Sequence, residues 1–133
     1  MHQLLYISTA REQAGAPIDA DAILAVSRRN NVRDGVTGLL LYDGRRFLQV
    51  LEGEEADVVR VFDRISRDPR HRAIVILSRR TIEAREFGDW SMAFQRRDED
   101  AAATIARVAS LSSGASPAVQ GTFLGLAEMR RAA

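Results

Sequence analysis

Residues 36–42 and 46–52 are two apolar runs joined by Asp43-Gly44, and they constrain the fold more than any other feature of the chain. In the second run Phe47, Leu48, Val50 and Leu51 are apolar on both sides of the pleat. A strand of that kind is buried on both faces. Asp-Gly between two such runs reads as a hairpin turn, because both central positions of a type I′ turn need positive φ. Gln49 interrupts the return run. Its carboxamide brings two donors and an acceptor into the core, and leaving them unpaired costs about 1–3 kcal/mol.

The rest of the chain supplies neighbours for this hairpin. Residues 4–8, centred on Tyr6, read as a first strand. After a loop with Gly15 and Pro17, a helix is expected over 19–32. Asp19 suits its N-cap, Ile18 and Ile23 have the spacing of a hydrophobic staple, and Gly35 suits a left-handed cap at its end. Gly53 breaks the return strand. Residues 54–67 read as a second helix, with Glu54 and Glu55 favourable in the first turn. Its stripe, Val58, Val61, Phe62 and Ile65, has i, i+3, i+4, i+7 spacing. Asp68-Pro69 ends it. Residues 73–78 and 90–95 read as a fourth and a fifth strand, joined by a charged connection over 83–89.

The order β-α-β-β-α-β-β predicts an α+β, ferredoxin-like sheet with two helices on one face. Residues 98–112 and 117–131 read as two C-terminal helices, with Ser116 as N-cap and Pro117 at the first helical position of the second. A bare apolar sheet face must be covered, so these helices are expected to fold back on the other face. The chain is expected to divide into a domain over 1–96 and a helical extension over 97–133. A length of 133 residues suits one such domain and buries about two-thirds of the unfolded surface.

Nineteen basic and eighteen acidic residues leave a net charge of +1. That balance gives no electrostatic reason to expect nucleic acid or an anionic membrane. The absence of cysteine excludes disulfides, thiolate zinc sites and thiol nucleophiles. His2 and His71, the only histidines, stand in no metal-ligand spacing. No glycine-rich phosphate loop, dinucleotide fingerprint or Ser/His/Asp order is visible. The start is quickly polar and no apolar run approaches 18 residues, so a cytoplasmic location is the expectation.

Three polar features do not belong to a plain core. Tyr6 and Gln49 lie mid-strand in apolar surroundings; they could be a core phenol and amide bonding each other or the backbone. Ser27, Asn30 and Asn31 share roughly one face of the first helix with Ile23; asparagines near a helix end are commonly solvated, but these continue the apolar stripe. Trp90 and Met92, at i and i+2, could be filler. Jointly these residues describe an amide-and-phenol pocket for a planar, hydrogen-bonding ligand.

The same residues resemble a known family, the BLUF domains, which sense blue light using FAD. The likeness runs from about Leu4 to Phe94. "LLYIS" resembles the family's first strand, "SRRNNVRDGVTGLLLYDGRRFLQVLEGE" its longest motif, and "RISRDPRHRAIVIL" and "FGDWSMAF" its later blocks. The resemblance implies a noncovalent FAD with its ring between the two helices, held by residues 1–96. Tyr6 then matches the redox-active tyrosine, and Gln49 the glutamine that links it to the flavin. Asn31 matches the asparagine at the ring's carbonyl edge, with Asn30 beside it, where some members carry histidine. Trp90 and Met92 match the pair that reports the flavin state. Arg64 and His71 fall where contacts to the ribityl or phosphate part are found, and Ser27 and Ile23 belong to the same helix face.

The function so implied is photoreception without enzymatic turnover. Light drives tyrosine-to-flavin electron and proton transfer, and the glutamine rearranges its hydrogen bonds. Two other readings of the residues stay open: a flavin-dependent redox enzyme active in the dark, and a ligand-free ferredoxin-like interaction module. About 38 residues follow residue 95, too few for a cyclase or phosphodiesterase. The signal is therefore expected to leave through the last strand and C-terminal helices, to a protein partner or a homo-oligomer, a dimer or larger.

Overall fold

The doubly apolar hairpin lies inside the sheet, where two-sided burial requires it to be. The computed structural model describes residues 1–11, 20–88, 90–94 and 101–132. Its elements are β1 (His2–Ala10), α1 (Ala20–Arg33), β2 (Thr37–Tyr42), β3 (Arg46–Gly53), α2 (Glu55–Ser66), β4 (His71–Thr81), β5 (Trp90–Phe94), α3 (Ala101–Leu111) and α4 (Pro117–Ala132). The strands are ordered β4-β1-β3-β2-β5. β4, β1, β3 and β2 pair antiparallel, as in a ferredoxin-like sheet, and β5 adds in parallel beside β2.

Because side chains alternate across a strand, the runs feed two cores. Leu4, Tyr6, Leu40, Phe47 and Leu51 join Val58 and Val61 of α2. Leu5, Leu39, Leu41, Leu48 and Val50 join Val108 of α3 and Val119, Phe123 and Leu126 of α4. The C-terminal helices thus cover the face opposite α2, as bare apolar sheet demanded.

The local signals hold in most places. Gly35 adopts φ 71°, and the Val36 N–H reaches back to the Asn31 carbonyl at 2.9 Å, which closes α1 with a left-handed cap. The Val119 N–H donates to the Ser116 hydroxyl at 3.4 Å at the start of α4. The hairpin turn differs from the expected type I′. Gly44 carries positive φ, but among the described residues Ala73 is the one non-glycine that does. Instead the Asp43 carboxylate accepts N–H bonds from Arg45 at 2.9 Å and Arg46 at 2.7 Å, so the side chain organises the turn. β4 runs longer than the apolar segment 73–78, since an edge strand tolerates Arg72 and Arg79 facing water. The expected N-cap Asp19, the staple from Ile18 to Ile23, the tail start at Asp98 and the boundary after residue 96 lie outside the described residues.

One buried network was not foreseeable from local pattern. Glu52 of β3 is fully buried on the face under α3 and α4. It accepts the Gln3 amide at 2.6 Å and the backbone N–H groups of Glu86 and Phe87 at 2.9 and 2.8 Å. Burial pushes its carboxyl up, and these donors pull it back. Arg80 bonds Gln3 at 2.6 Å and pairs with Glu86. Glu86 in turn accepts the Ser116 N–H at 2.6 Å. The segment between β4 and β5 is thereby fastened to the start of α4.

Candidate functional site

The β1–β3 register sets Tyr6 directly opposite Gln49. Both are buried, and the Tyr6 hydroxyl donates to Gln49 Oε1. Two residues 43 positions apart thus satisfy each other in the core. Phe62 of α2 packs edge-on to the Tyr6 ring at 5.4 Å. Burial, and then the negative charge of Asp68, raise the phenol's pKa well above its usual value. Tyr6 therefore stays protonated, a hydrogen-bond donor at any physiological pH.

α1 packs against β2 and β5, and α2 against β1, β3 and β4. A cleft of about 130 Å³ lies between the helices. Val26, Ser27, Asn30 and Asn31 line it from α1; Val61, Arg64 and Ile65 from α2; and Asp68 and Arg70 from the turn beyond. Val61 and Ile65 also pack in the cluster that holds Tyr6, so cleft and phenol share a wall. Asn31 is 3% exposed, and its Nδ2 has no hydrogen-bond partner among the described residues. An unpaired buried amide costs about 1–3 kcal/mol. The position suits an acceptor brought by a ligand, such as a carbonyl on a planar ring edge.

Arg64 lines the cleft but is already engaged, donating to Asp34 at 2.7 Å. Hydrogen bonds from Arg33 and Arg64 pull the Asp34 carboxyl down to about 2. A depressed folded-state pKa contributes stability above the ordinary carboxylate value and loses it below. That contribution should be complete above about pH 5 and be lost as pH falls through about 2. Asp34→Asn should accordingly cost stability at neutral pH, with the cost shrinking as pH falls through about 2. Urea unfolding of both proteins across this range measures it, and an unchanging difference would refute it.

His71, at the start of β4, packs on Phe47 at 4.6 Å and near Tyr6 at 6.4 Å. Its Nδ1 lies 2.7 Å from the Ser8 hydroxyl. Burial lowers its pKa, with Asp68 opposing and Arg70 assisting. It is therefore a neutral ring beside the phenol at neutral pH. The backbones of Trp90 and Met92 lie in register with Gly38 and Leu40 of β2. Their side chains, and that of Ile23, lie outside the described residues.

Sequence reasoning missed Asp68 and Arg70, which line the cleft and form a two-point ion pair at 2.9 and 2.6 Å. Their Asp-Pro-Arg order signalled only a helix end. It also missed Ser8, whose link to His71 depends on the β1–β4 pairing.

The family model described as "Sensors of blue-light using FAD" matches residues 1–93. The alpha subunit of the photoactivated adenylate cyclase of Euglena gracilis is 36% identical over 94 residues, which are 69% of this chain and 9% of that one. The blue light- and temperature-regulated antirepressor BluF of Escherichia coli is 39% identical over 72 residues, 54% of this chain and 18% of that one. The chain therefore spans only a small part of these relatives. The dark-state structure of BlrB, a BLUF protein, superposes with a TM-score of 0.69 at 32% identity and covers 96% of both chains. With the family match running from β1 into β5, over the strands that carry Tyr6 and Gln49 and the helix that carries Asn31, the chain belongs to the BLUF family of flavin-binding blue-light photoreceptors.

Proposed function

We propose that this protein is a blue-light receptor that holds FAD noncovalently between α1 and α2 and performs no enzymatic turnover. The observation that carries the reading is the buried Tyr6–Gln49 hydrogen bond beside an Asn31 amide that lacks an acceptor among the described residues. Bound flavin would supply blue-light absorption and an excited-state electron acceptor. Asn31 would hold the ring edge through its unpaired N–H, and Asn30 and Ser27 add polar groups from the same helix. Ile23, two turns before Asn30 on the same helix, is part of the proposed binding set. A phosphate-bearing tail would lie in the depression lined by Arg64, Arg67, Asp68, Pro69 and Arg70, where it would compete with the carboxylates that these arginines now pair with; His71 lies closer to the phenol.

Tyr6 is the electron and proton donor in this reading. Gln49 responds by turning its carboxamide round or changing its tautomer, which exchanges donor and acceptor without changing volume. Hydrogen bonds of this kind contribute about 0.5–1.5 kcal/mol each, enough to bias a two-state element. Trp90 and Met92 on β5 would pass the change out of domain 1–96 into the extension 97–133. Gly121 and Gly125 of α4 are exposed with open space at their Cβ positions, so a second copy or a partner could approach closely. A cytoplasmic location is part of the same proposal; among the described residues no helix is long and apolar enough to cross a membrane.

Absorption spectra before and after blue illumination test the reading. The purified protein should be yellow and shift reversibly to the red. Gln49→Leu, similar in volume, should stay yellow with a blue-shifted dark band and form no long-lived red-shifted state. A normal red-shifted product in that variant removes Gln49 from the switch. Turnover of NADH in the dark would contradict the absence of catalysis.

A further inference from the structure

β4 is the last strand of the sheet, and its outer edge pairs with no other strand among the described residues. Val75, Ile76 and Leu77 on it are 52%, 38% and 46% exposed. The β1–β4 ladder explains three successive exposed apolar residues. Its register slips between Leu5 and Tyr6, which leaves Leu77 without a cross-strand partner, and again between Ile7 and Thr9. Ala73, in the second slip, takes φ 53°. Val75 lies opposite Ile7 and Ile76 opposite Tyr6, so the edge offers apolar side chains on both faces of the sheet. An edge of this kind is a template for another strand.

Among the described residues, the charges at its two ends are basic. Arg72 and Arg79 flank the apolar triplet, both exposed. Among the described residues, Arg72 also meets Arg11 and Arg45 around a cleft of about 320 Å³ lined otherwise by Thr9, Ala10 and Gly44. The backbone imposes this gathering: the Ala10 N–H bonds the Arg45 carbonyl and the Arg11 N–H the Arg70 carbonyl, each at 2.8 Å, and Thr9 pairs with Arg72. A concave site lined by one sign of charge concentrates counter-ions.

The same arginines discriminate among occupants. Two copies pairing antiparallel about Ile76 would set Arg72 of one against Arg80 of the other at both ends, and like charges directly opposite destabilise a ladder. A nucleic acid would satisfy the arginines but leave Val75, Ile76 and Leu77 without apolar partners. We propose that β4 is a docking edge for an extended acidic segment of another protein. The segment adds as a further strand, sets aliphatic side chains on Val75, Ile76 and Leu77, and places an acidic end in the Arg11–Arg45–Arg72 cleft.

Two synthetic peptides test this, each with an alternating Val/Ile core, one flanked by Asp and Glu at both ends and one by Lys. Anisotropy titrations of the full chain should show the acidic peptide binding at least about tenfold more tightly. Hydrogen exchange should show new protection within 71–81. Arg72→Glu with Arg79→Glu should reverse the preference, and the milder Arg72→Gln with Arg79→Gln should reduce it, with circular dichroism checking the fold of each. Equal binding of the two peptides, or protection confined elsewhere, would overturn the proposal. So would inorganic polyphosphate or an oligouridylate binding as tightly as the acidic peptide with the same arginine dependence. Self-association of the protein alone that protects 71–81 would make a second copy the occupant and overturn it as well.

Discussion

Tyr6→Phe should keep its flavin and lose the light-induced red shift completely. The substitution removes one oxygen from a ring held by Phe62 and His71, so the packing that shapes the site survives. The lost group is the donor to Gln49 Oε1. Leaving that buried acceptor unpaired should lower stability by about 1–3 kcal/mol, a loss that a domain with about 5–15 kcal/mol in hand tolerates. The photochemical effect is all-or-none by contrast, because phenylalanine has neither the proton nor the accessible oxidation of a phenol. A light-minus-dark difference spectrum of the purified variant measures it. An ordinary red-shifted product would show that another residue supplies the electron and proton.

The largest effect on folding should come from Gly38→Ala. Gly38 lies in β2 between β3 and β5, opposite Leu51 and Trp90. A Cβ there would fall 1.8 Å from the Val50 carbonyl oxygen and 2.9 Å from its carbon. Both atoms are backbone of the neighbouring strand, so no side-chain rotation relieves the overlap, and the two inner strands must separate. The expected loss is about 4 kcal/mol or more. At a urea slope of about 1–3 kcal/mol/M that lowers the unfolding midpoint by roughly 2 M, and recovery of soluble protein should fall with it. Gly121→Ala is the control. Its Cβ meets open space on the exposed side of α4, and the better helix former should be neutral or stabilise by up to about 1 kcal/mol. Equal midpoints for Gly38→Ala and the parent would mean that the β2–β3 pair can widen at little cost.

Elements with a period of their own were legible from the chain alone. The stripe Val58, Val61, Phe62, Ile65 specified α2, and the break around Ser116-Pro117 specified where α4 begins. The doubly apolar runs at 36–42 and 46–52 required cover on both sides, and that requirement called for α3 and α4 on the face opposite α2. The resemblance of the blocks around Tyr6, Asn31 and Gln49 pointed to the family. What stayed hidden involves side chains whose partners are distant in sequence. Nothing near Glu52 announces Gln3, Glu86 or Phe87 as its donors, because those contacts exist only once β1, β3 and the segment after β4 converge. The Asp43 side chain displaced the expected turn type for a related reason: its carboxylate offered two hydrogen bonds that dihedral preference alone does not count.

By itself, then, the sequence determined which segments are strands and helices, which faces must be buried, and which residue types are out of place in a core. Those are local properties, set by periodicity and by the cost of burying polar groups. Only the tertiary structure decided that the Tyr6 hydroxyl meets Gln49, that the Asn31 amide has no partner among the described residues, and that an apolar stretch of β4 lies exposed between arginines. Each depends on strand register and order. A shift of one residue would turn every side chain of a strand to the opposite face, and register is set by the packing of the whole sheet.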